Sequence, residues 1–295
     1  MNQLYIGEIA ALSVSFCWAA SSNFFEAASR KVGSLVVNYI RLFMGFCMLG
    51  VFGLFARGSF FPTGAGEQQW IWLSVSGFLG FFLGDLFLFK SFTLIGSRLS
   101  MLVMTFSPAL TAMIGFILLG ERLNFKQVLA IMLIIGGILM AFIGREKGRF
   151  YFNMSLKGFF CALGGALGQS FGYVFSKKGL GDYDPFAATQ IRIITGFIFF
   201  TLLVIYLKRG PSLVKAMKDT KSLKQISIGS FFGPGLGVGL SLYAITKTET
   251  GIASALMALT PVLLIVPAII KGRRIAPMEL IGAFISVAGV VILFL

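Results

Sequence analysis

Ile40-Arg41-Leu42-Phe43-Met44-Gly45-Phe46 recurs 151 residues downstream, without a gap, as Ile191-Arg192-Ile193-Ile194-Thr195-Gly196-Phe197. Ionisable residues within apolar runs are rare because burying them in lipid is expensive. A shared arginine at one spacing from a shared Gly-Phe pair therefore carries more weight than matches between aliphatic residues. The register extends outward. The same shift lays Gly7, Ala11 and Leu12 on Gly158, Ala162 and Leu163. A shift of 153 lays Phe78, Gly80, Gly84 and Pro108 on Phe231, Gly233, Gly237 and Pro261, and a shift of 152 lays Gly137 on Gly289. The chain reads as a duplication, with units 1–145 and 146–295.

Apolar types make up 57% of the 295 residues and charged types 12%, with a mean hydropathy of +0.90. Soluble domains carry roughly 25% charged residues, so this chain lacks the polar surface to cover itself in water. Segments of the roughly 20 apolar residues that cross a bilayer can be drawn at 6–28, 34–56, 70–93, 99–119, 128–144, 156–176, 185–207, 226–246, 252–270 and 277–295. Lipid leaves an open sheet edge unsatisfied, so all ten are expected as helices. The apolar start is read as a first span and not as a cleaved signal peptide. Five spans per unit is an odd number, which turns the second unit over in the membrane. The expected fold is an all-α integral membrane protein of ten helices in two inverted repeats, a design whose binding site lies near the midplane.

The net charge of +14 comes from 25 Lys+Arg against 11 Asp+Glu. These basic residues fall in short segments between apolar runs, so they read as membrane-flanking loops and not as a nucleic-acid surface. Sixteen lie in odd-numbered loops, six in even-numbered loops, and Arg41, Lys90 and Arg192 within spans. Positive-inside bias then places the odd loops in the cytoplasm and both termini outside a cell (inner) membrane, an orientation that rests on the fifth and seventh loops. The chain has no histidine, and Cys17, Cys47 and Cys161 lie in apolar segments without CxxC spacing. No metal, cofactor or disulfide framework is expected, and there is no Walker sequence for ATP.

Ser15, Trp18, Ser22, Glu26 and Ser29 share one face of the first span, and Gln169, Tyr173 and Lys177 on the sixth are repeat mates of Trp18, Ser22 and Glu26. A polar stripe crossing a bilayer faces another helix or a cavity. Trp18, Ser22, Asn23, Gln169 and Tyr173 are the candidate solute contacts, with interhelical hydrogen bonding as the alternative. Asp85 is the only acid deep in a span; it and Arg41 lie at similar depth, with Asn23 and Glu26 near. They form either a structural ion pair or, with Glu26, a coupling or gating group, with protons as the coupling ion. Lys90 is off the Asp85 face and is expected to snorkel. Glu26 and Lys177 lie near opposite faces and are not expected to pair. Arg192 is expected in the opposite half without a carboxylate beside it. Pro108, Pro234 and Pro261 should interrupt their helices, as packing kinks or as hinges. Gly136, Gly137, Gly282 and Gly289 would pack equally well within the chain or against a second copy, so a monomer and a homodimer both fit.

Leu119-Gly120-Glu121-Arg122-Leu123 leads into the glycine-bearing span Ile135-Gly136-Gly137-Ile138. Together with the Arg41/Arg192 and Pro108/Pro261 pairs, this resembles the drug/metabolite transporter superfamily, EamA type, over essentially the whole chain. Lys271-Gly272-Arg273-Arg274 departs from the pattern where Gly-Glu would recur. The resemblance implies a ten-helix carrier of two five-helix repeats that moves amino acids, other small metabolites or toxic compounds, often outward. The neutral-polar and aromatic candidates favour a neutral or zwitterionic solute. A broad exporter of apolar compounds is the second reading, given 33 Phe and 12 Met. An intramembrane enzyme has almost no catalytic inventory, and the duplicated polar-lined plan argues against a non-transporting protein.

Overall fold

The computed structural model describes residues 5–119, 124–146, 149–152, 155–248, 253, 256–270, 272 and 275–294. Helices α1 (Ile6–Val32) and α2 (Ser34–Arg57) meet at Gly33, whose φ of 91° ends the first and starts the second. The third span is α3 (Glu67–Ser76), a π-helical stretch (Gly77–Gly84) and the first part of α4 (Asp85–Met104). Gly96, at φ 82° and ψ 161°, breaks α4. Few side-chain-bearing residues tolerate that geometry. The third and fourth spans are therefore joined by a single-residue turn, and Arg98 lies in the first turn of the fourth helix.

The fourth span resumes as α5 (Ser107–Leu119), and α6 (Phe125–Ala141) follows. A short antiparallel hairpin, β1 (Ile143–Glu146) and β2 (Arg149–Phe152), joins the halves where the sequence suggested a plain loop. The second half holds α7 (Leu156–Leu180), α8 (Pro185–Tyr206), α9 (Gly210–Lys218) and α10 (Thr220–Ser230). A second π-helical stretch (Phe231–Gly237) leads to α11 (Val238–Lys247), and α12 (Thr260–Leu263), α13 (Ile265–Ile270) and α14 (Pro277–Phe294) close the chain. The basic seventh loop is thus partly helical: α9 buries Ala216 and exposes Val214 and Met217. The Gly120-Glu121-Arg122-Leu123 signature and Lys271, Arg273 and Arg274 lie outside the described residues.

Among the described residues, four helical units are long and apolar enough to cross a membrane by themselves: Ser34–Arg57, Glu67–Met104, Pro185–Tyr206 and Thr220–Lys247. The polar stripes of α1 and α7 dilute their hydropathy, as expected for helices whose polar face turns inward. The chain is a multi-pass helical membrane protein.

Packing repeats between the halves. A Cβ at Gly168 of α7 would lie 2.4 Å from the Gly84 Cα, so α7 and the first π stretch touch backbone to backbone. The repeat mates of that contact are Cys17 and Gly237, where a Cβ on Gly237 would meet the Cys17 Cβ at 3.3 Å. Gly196 faces the Phe81 side chain, and its mate Gly45 faces Pro234, the mate of Phe81, at nearly equal spacing, 2.8 and 2.9 Å for added Cβ atoms. The two π stretches are themselves repeat mates. Pro234 supplies no N–H and opens the ladder of the second. The first has no proline and reaches the same geometry through glycines.

The other two prolines also interrupt their spans at equivalent places. Residues 105–106 form a turn just before Ser107 and Pro108, as residues 258–259 do before Thr260 and Pro261. Each proline sits in the first turn of the helix that follows, where its missing N–H costs nothing. Gly137, Gly282 and Gly289 bring α6 and α14 together within the chain, with Ser286 donating to the Ile134 carbonyl at 3.3 Å, whereas a Cβ on Gly136 would meet nothing within 4 Å among the described residues.

Candidate functional site

The first π stretch ends at Asp85, and this positions the site. A wide turn shifts the phase of the residues after it, carrying Asp85 into the interior, where it is 3% exposed. There it forms an ion pair with Arg41 of α2, itself 4% exposed. Arg41 Nε donates to Asn38 Oδ1 at 2.8 Å, and Asn38 Nδ2 donates to the Asp85 backbone carbonyl at 3.1 Å. The Arg41 guanidinium lies 4.6 Å from the Phe89 ring centroid, with Phe25 and Phe81 also in cation–π range. A buried pair is net favourable only when its remaining donors and acceptors are met. Asn38, one helical turn from Arg41 and absent from the sequence candidates, helps supply that.

Gln169 of α7 reaches the other side of this pair, Nε2 to Asp85 Oδ1 at 3.5 Å. Tyr173, one turn further along α7, lies near Ser241 of α11 and within electrostatic range of Arg192 and Asp85. The α7 candidates and the Asp85–Arg41 pair thus form one cluster. Trp18 stands where two apolar clusters meet, one around Phe25 and Phe89, the other around Val14 and Ala244, and borders Gly237 of the second π stretch. Trp18, Asn23, Gln169 and Tyr173 are each half-buried, and Asn23 Nδ2 donates to the Ala19 carbonyl at 3.2 Å. Ser22 differs: it is buried and donates to the same carbonyl at 3.2 Å, within its own helix.

Glu26 stands at a different structural feature. Its carboxylate accepts from the Ser97 N–H and hydroxyl at 2.9 and 2.6 Å and pairs with Arg30 at 3.0 Å. It caps the fourth helix from outside, just past the Gly96 turn. Lys90 is exposed.

Arg192 has no salt bridge among the described residues, as expected from the sequence, but it stands nearer to Asp85 than a place in the opposite half implies. It lies close enough to Asp85 for the two to interact electrostatically. A Cβ on Gly77 would lie 2.4 Å from the Arg192 carbonyl oxygen, and one on Gly80 would lie 3.3 Å from its Nη2. The side chain therefore runs along the π stretch toward its Asp85 end, a reach that depth counted along the chain does not capture.

Salt bridges and hydrogen bonds join the halves near both ends of the helices. On the side of the first loop, Lys31 pairs with Asp219, and Arg98 Nη2 donates to Glu279 at 2.8 Å. On the opposite side Arg57 pairs with Asp184, Gln190 donates to the Phe60 carbonyl at 2.7 Å, and Tyr183 donates to the Thr63 carbonyl at 3.0 Å. Lys31 and Ser222 hold the Asp219 carboxyl down at about 2. Burial pushes the Tyr183 phenol up, against the nearby Arg57.

A duplicated multi-pass helical bundle with a polar, charged cluster between its halves belongs to the class of membrane transport proteins. The profile of the EamA-like transporter family matches residues 5–143 and again 156–295, and the chain belongs to that family. Proteins named "probable amino-acid metabolite efflux pump" in Salmonella typhimurium and Escherichia coli are each 25% identical to it over 201 residues, 66% of this chain. The match spans 66% of each pump's own length, just under two thirds. A protein of known crystal structure shares the fold with a TM-score of 0.68 at 16% identity, covering 97% of this chain and 95% of that one.

Proposed function

We propose that the protein is a secondary transporter that exports amino acids or similar neutral or zwitterionic metabolites. The observation that carries this reading is the meeting of Gln169, Tyr173 and the Asp85–Arg41 pair between the repeats. The names of the two efflux-pump relatives support the substrate class. Trp18, Asn23, Gln169 and Tyr173 combine flat apolar area with a polar edge, suited to a small amphiphilic solute.

In this reading the two sets of bridges between the halves are the gates. Alternating access opens Lys31–Asp219 and Arg98–Glu279 in one state and Arg57–Asp184 in the other, around a fixed site. The interrupted spans at Pro108, Pro234 and Pro261 supply the bends. Asp85 is the coupling carboxylate: a proton on it dissolves the pair with Arg41. The odd loops face the cytoplasm of the cell membrane, and both termini face outward.

The test is uptake of radiolabelled neutral amino acids into proteoliposomes, with and without a pH gradient, for wild type and Asp85→Asn. Saturable uptake is expected, and the variant should lose its gradient-driven part. Uptake of apolar dyes with none of the amino acids would replace this reading by a broad exporter of apolar compounds.

A further inference from the structure

Two arginines are buried among the described residues, Arg41 and Arg192. Their surroundings are not equivalent. Arg41 has a carboxylate, an amide oxygen and aromatic faces. Arg192 is 2% exposed, and its Nε and Nη1 are buried without a hydrogen-bond partner among the described residues. The Phe81 ring lies 4.9 Å from the Arg192 guanidinium and supplies no in-plane acceptor. Asp85 is near but committed: Oδ2 to Arg41, the main-chain carbonyl to Asn38, Oδ1 to Gln169. Two cations and one anion leave this cluster with an excess positive charge in a low-dielectric setting, which is expensive to maintain uncompensated.

We propose that Arg192 receives the carboxylate of the transported solute, beside the Tyr173 hydroxyl. The proposal rests on the transport reading above and names the group on the substrate that the site selects. A guanidinium presents a planar fork of donors matched to a carboxylate, and two such bonds fix orientation as well as affinity. One anionic group balances the excess charge of the cluster, whereas a phosphate monoester would reverse it. Arg192 Nη2 would lie 3.6 Å from a Cβ on Gly172, the neighbour of the half-buried Tyr173 in α7, so a solute resting on Tyr173 approaches the guanidinium.

The test uses the purified full-length protein and three sets of probes: alanine, threonine, leucine and phenylalanine; their amides; and the matching acids without the amino group. Binding is read as ligand-induced thermal stabilisation. Wild type should bind the carboxylate-bearing probes roughly ten- to a hundredfold more tightly than the amides. Arg192→Gln should lower the acids to the level of the amides, and Arg192→Lys should recover part of the difference. Amides that match the acids in wild type overturn the proposal, and this comparison needs no variant to fold. Absence of stabilisation by any carboxylate overturns it too, as does an acid preference that survives in Arg192→Gln. Acids that bind while no amino acid enters proteoliposomes would keep Arg192 in this role and remove the amino-acid reading. Amino acids that are transported, with amides competing equally, would do the reverse.

Discussion

Arg41 and Arg192 occupy the same position in the two repeats, both are buried, and both lie near Phe81. They differ because their neighbours differ. Asp85 follows the first π stretch, and its mate Val238 follows the second. Asn38 orients Arg41, while its mate Thr189 bonds the Pro185 carbonyl within its own helix. The duplication therefore repeats backbone contacts and leaves the charge balance to one or two side chains. Such a scaffold can keep its symmetric backbone contacts while the charged cluster between the halves becomes polarised.

The largest effect that would break this comparison is expected from Asp85→Val, which gives the first half the residue of the second. It strands both arginines, and loss of one partner from a buried pair costs about 3–5 kcal/mol. Denaturation in mixed micelles should show that loss, with much of it recovered in Asp85→Val/Arg41→Gln. Next, Arg41→Gln should cost about 2 kcal/mol or more because it leaves Asp85 with a more distant cation. Arg192→Gln should be neutral or stabilising, since it removes an unmet charge. Equal losses from the two variants would mean that the arginines are energetically alike.

A third comparison tests the symmetry and not the difference. Gly45→Ala and Gly196→Ala each push a methyl into the mate contact, against Pro234 and Phe81. Each should cost about 1–3 kcal/mol by overpacking. A large loss from only one would show that the two π stretches yield differently.

The smallest effect is expected at the surface. Asp219 has its carboxyl held at about 2, below the ordinary 3.8, by Lys31 and Ser222. A depressed carboxyl stabilises the fold above the unfolded value and loses that contribution as pH falls from about 4 toward about 2. Melting temperatures of wild type and Asp219→Asn should therefore differ slightly but steadily above pH 4 and converge below it.

Much of the site was legible because helical spacing is local. Trp18, Gln169 and Tyr173 could be placed on inward stripes, and Arg41 could be matched to Asp85 by depth. Asn38 was legible in principle: it stands one turn before Arg41, on the same face. The approach of Arg192 to Asp85 was not, because it depends on how α8 lies along a π stretch that no proline announces. Glu26 shows the same limit. Its place on the stripe follows from helical spacing, but its partner Ser97 is 71 residues away and is presented by the Gly96 turn. The bridges Lys31–Asp219 and Arg57–Asp184 join loops and helix ends whose pairing follows from tertiary closure.

Composition and periodicity by themselves determined that this chain lives in a membrane, that it is duplicated, and which helix faces turn inward. Those properties follow from the transfer of residues into lipid and from the pitch of a helix, and both act within one segment. The tertiary structure alone decided how near Arg192 comes to Asp85 and which loop and helix-end charges bridge the halves. Ion pairing falls off over a few ångströms, and those distances are set by how glycine surfaces let neighbouring helices approach.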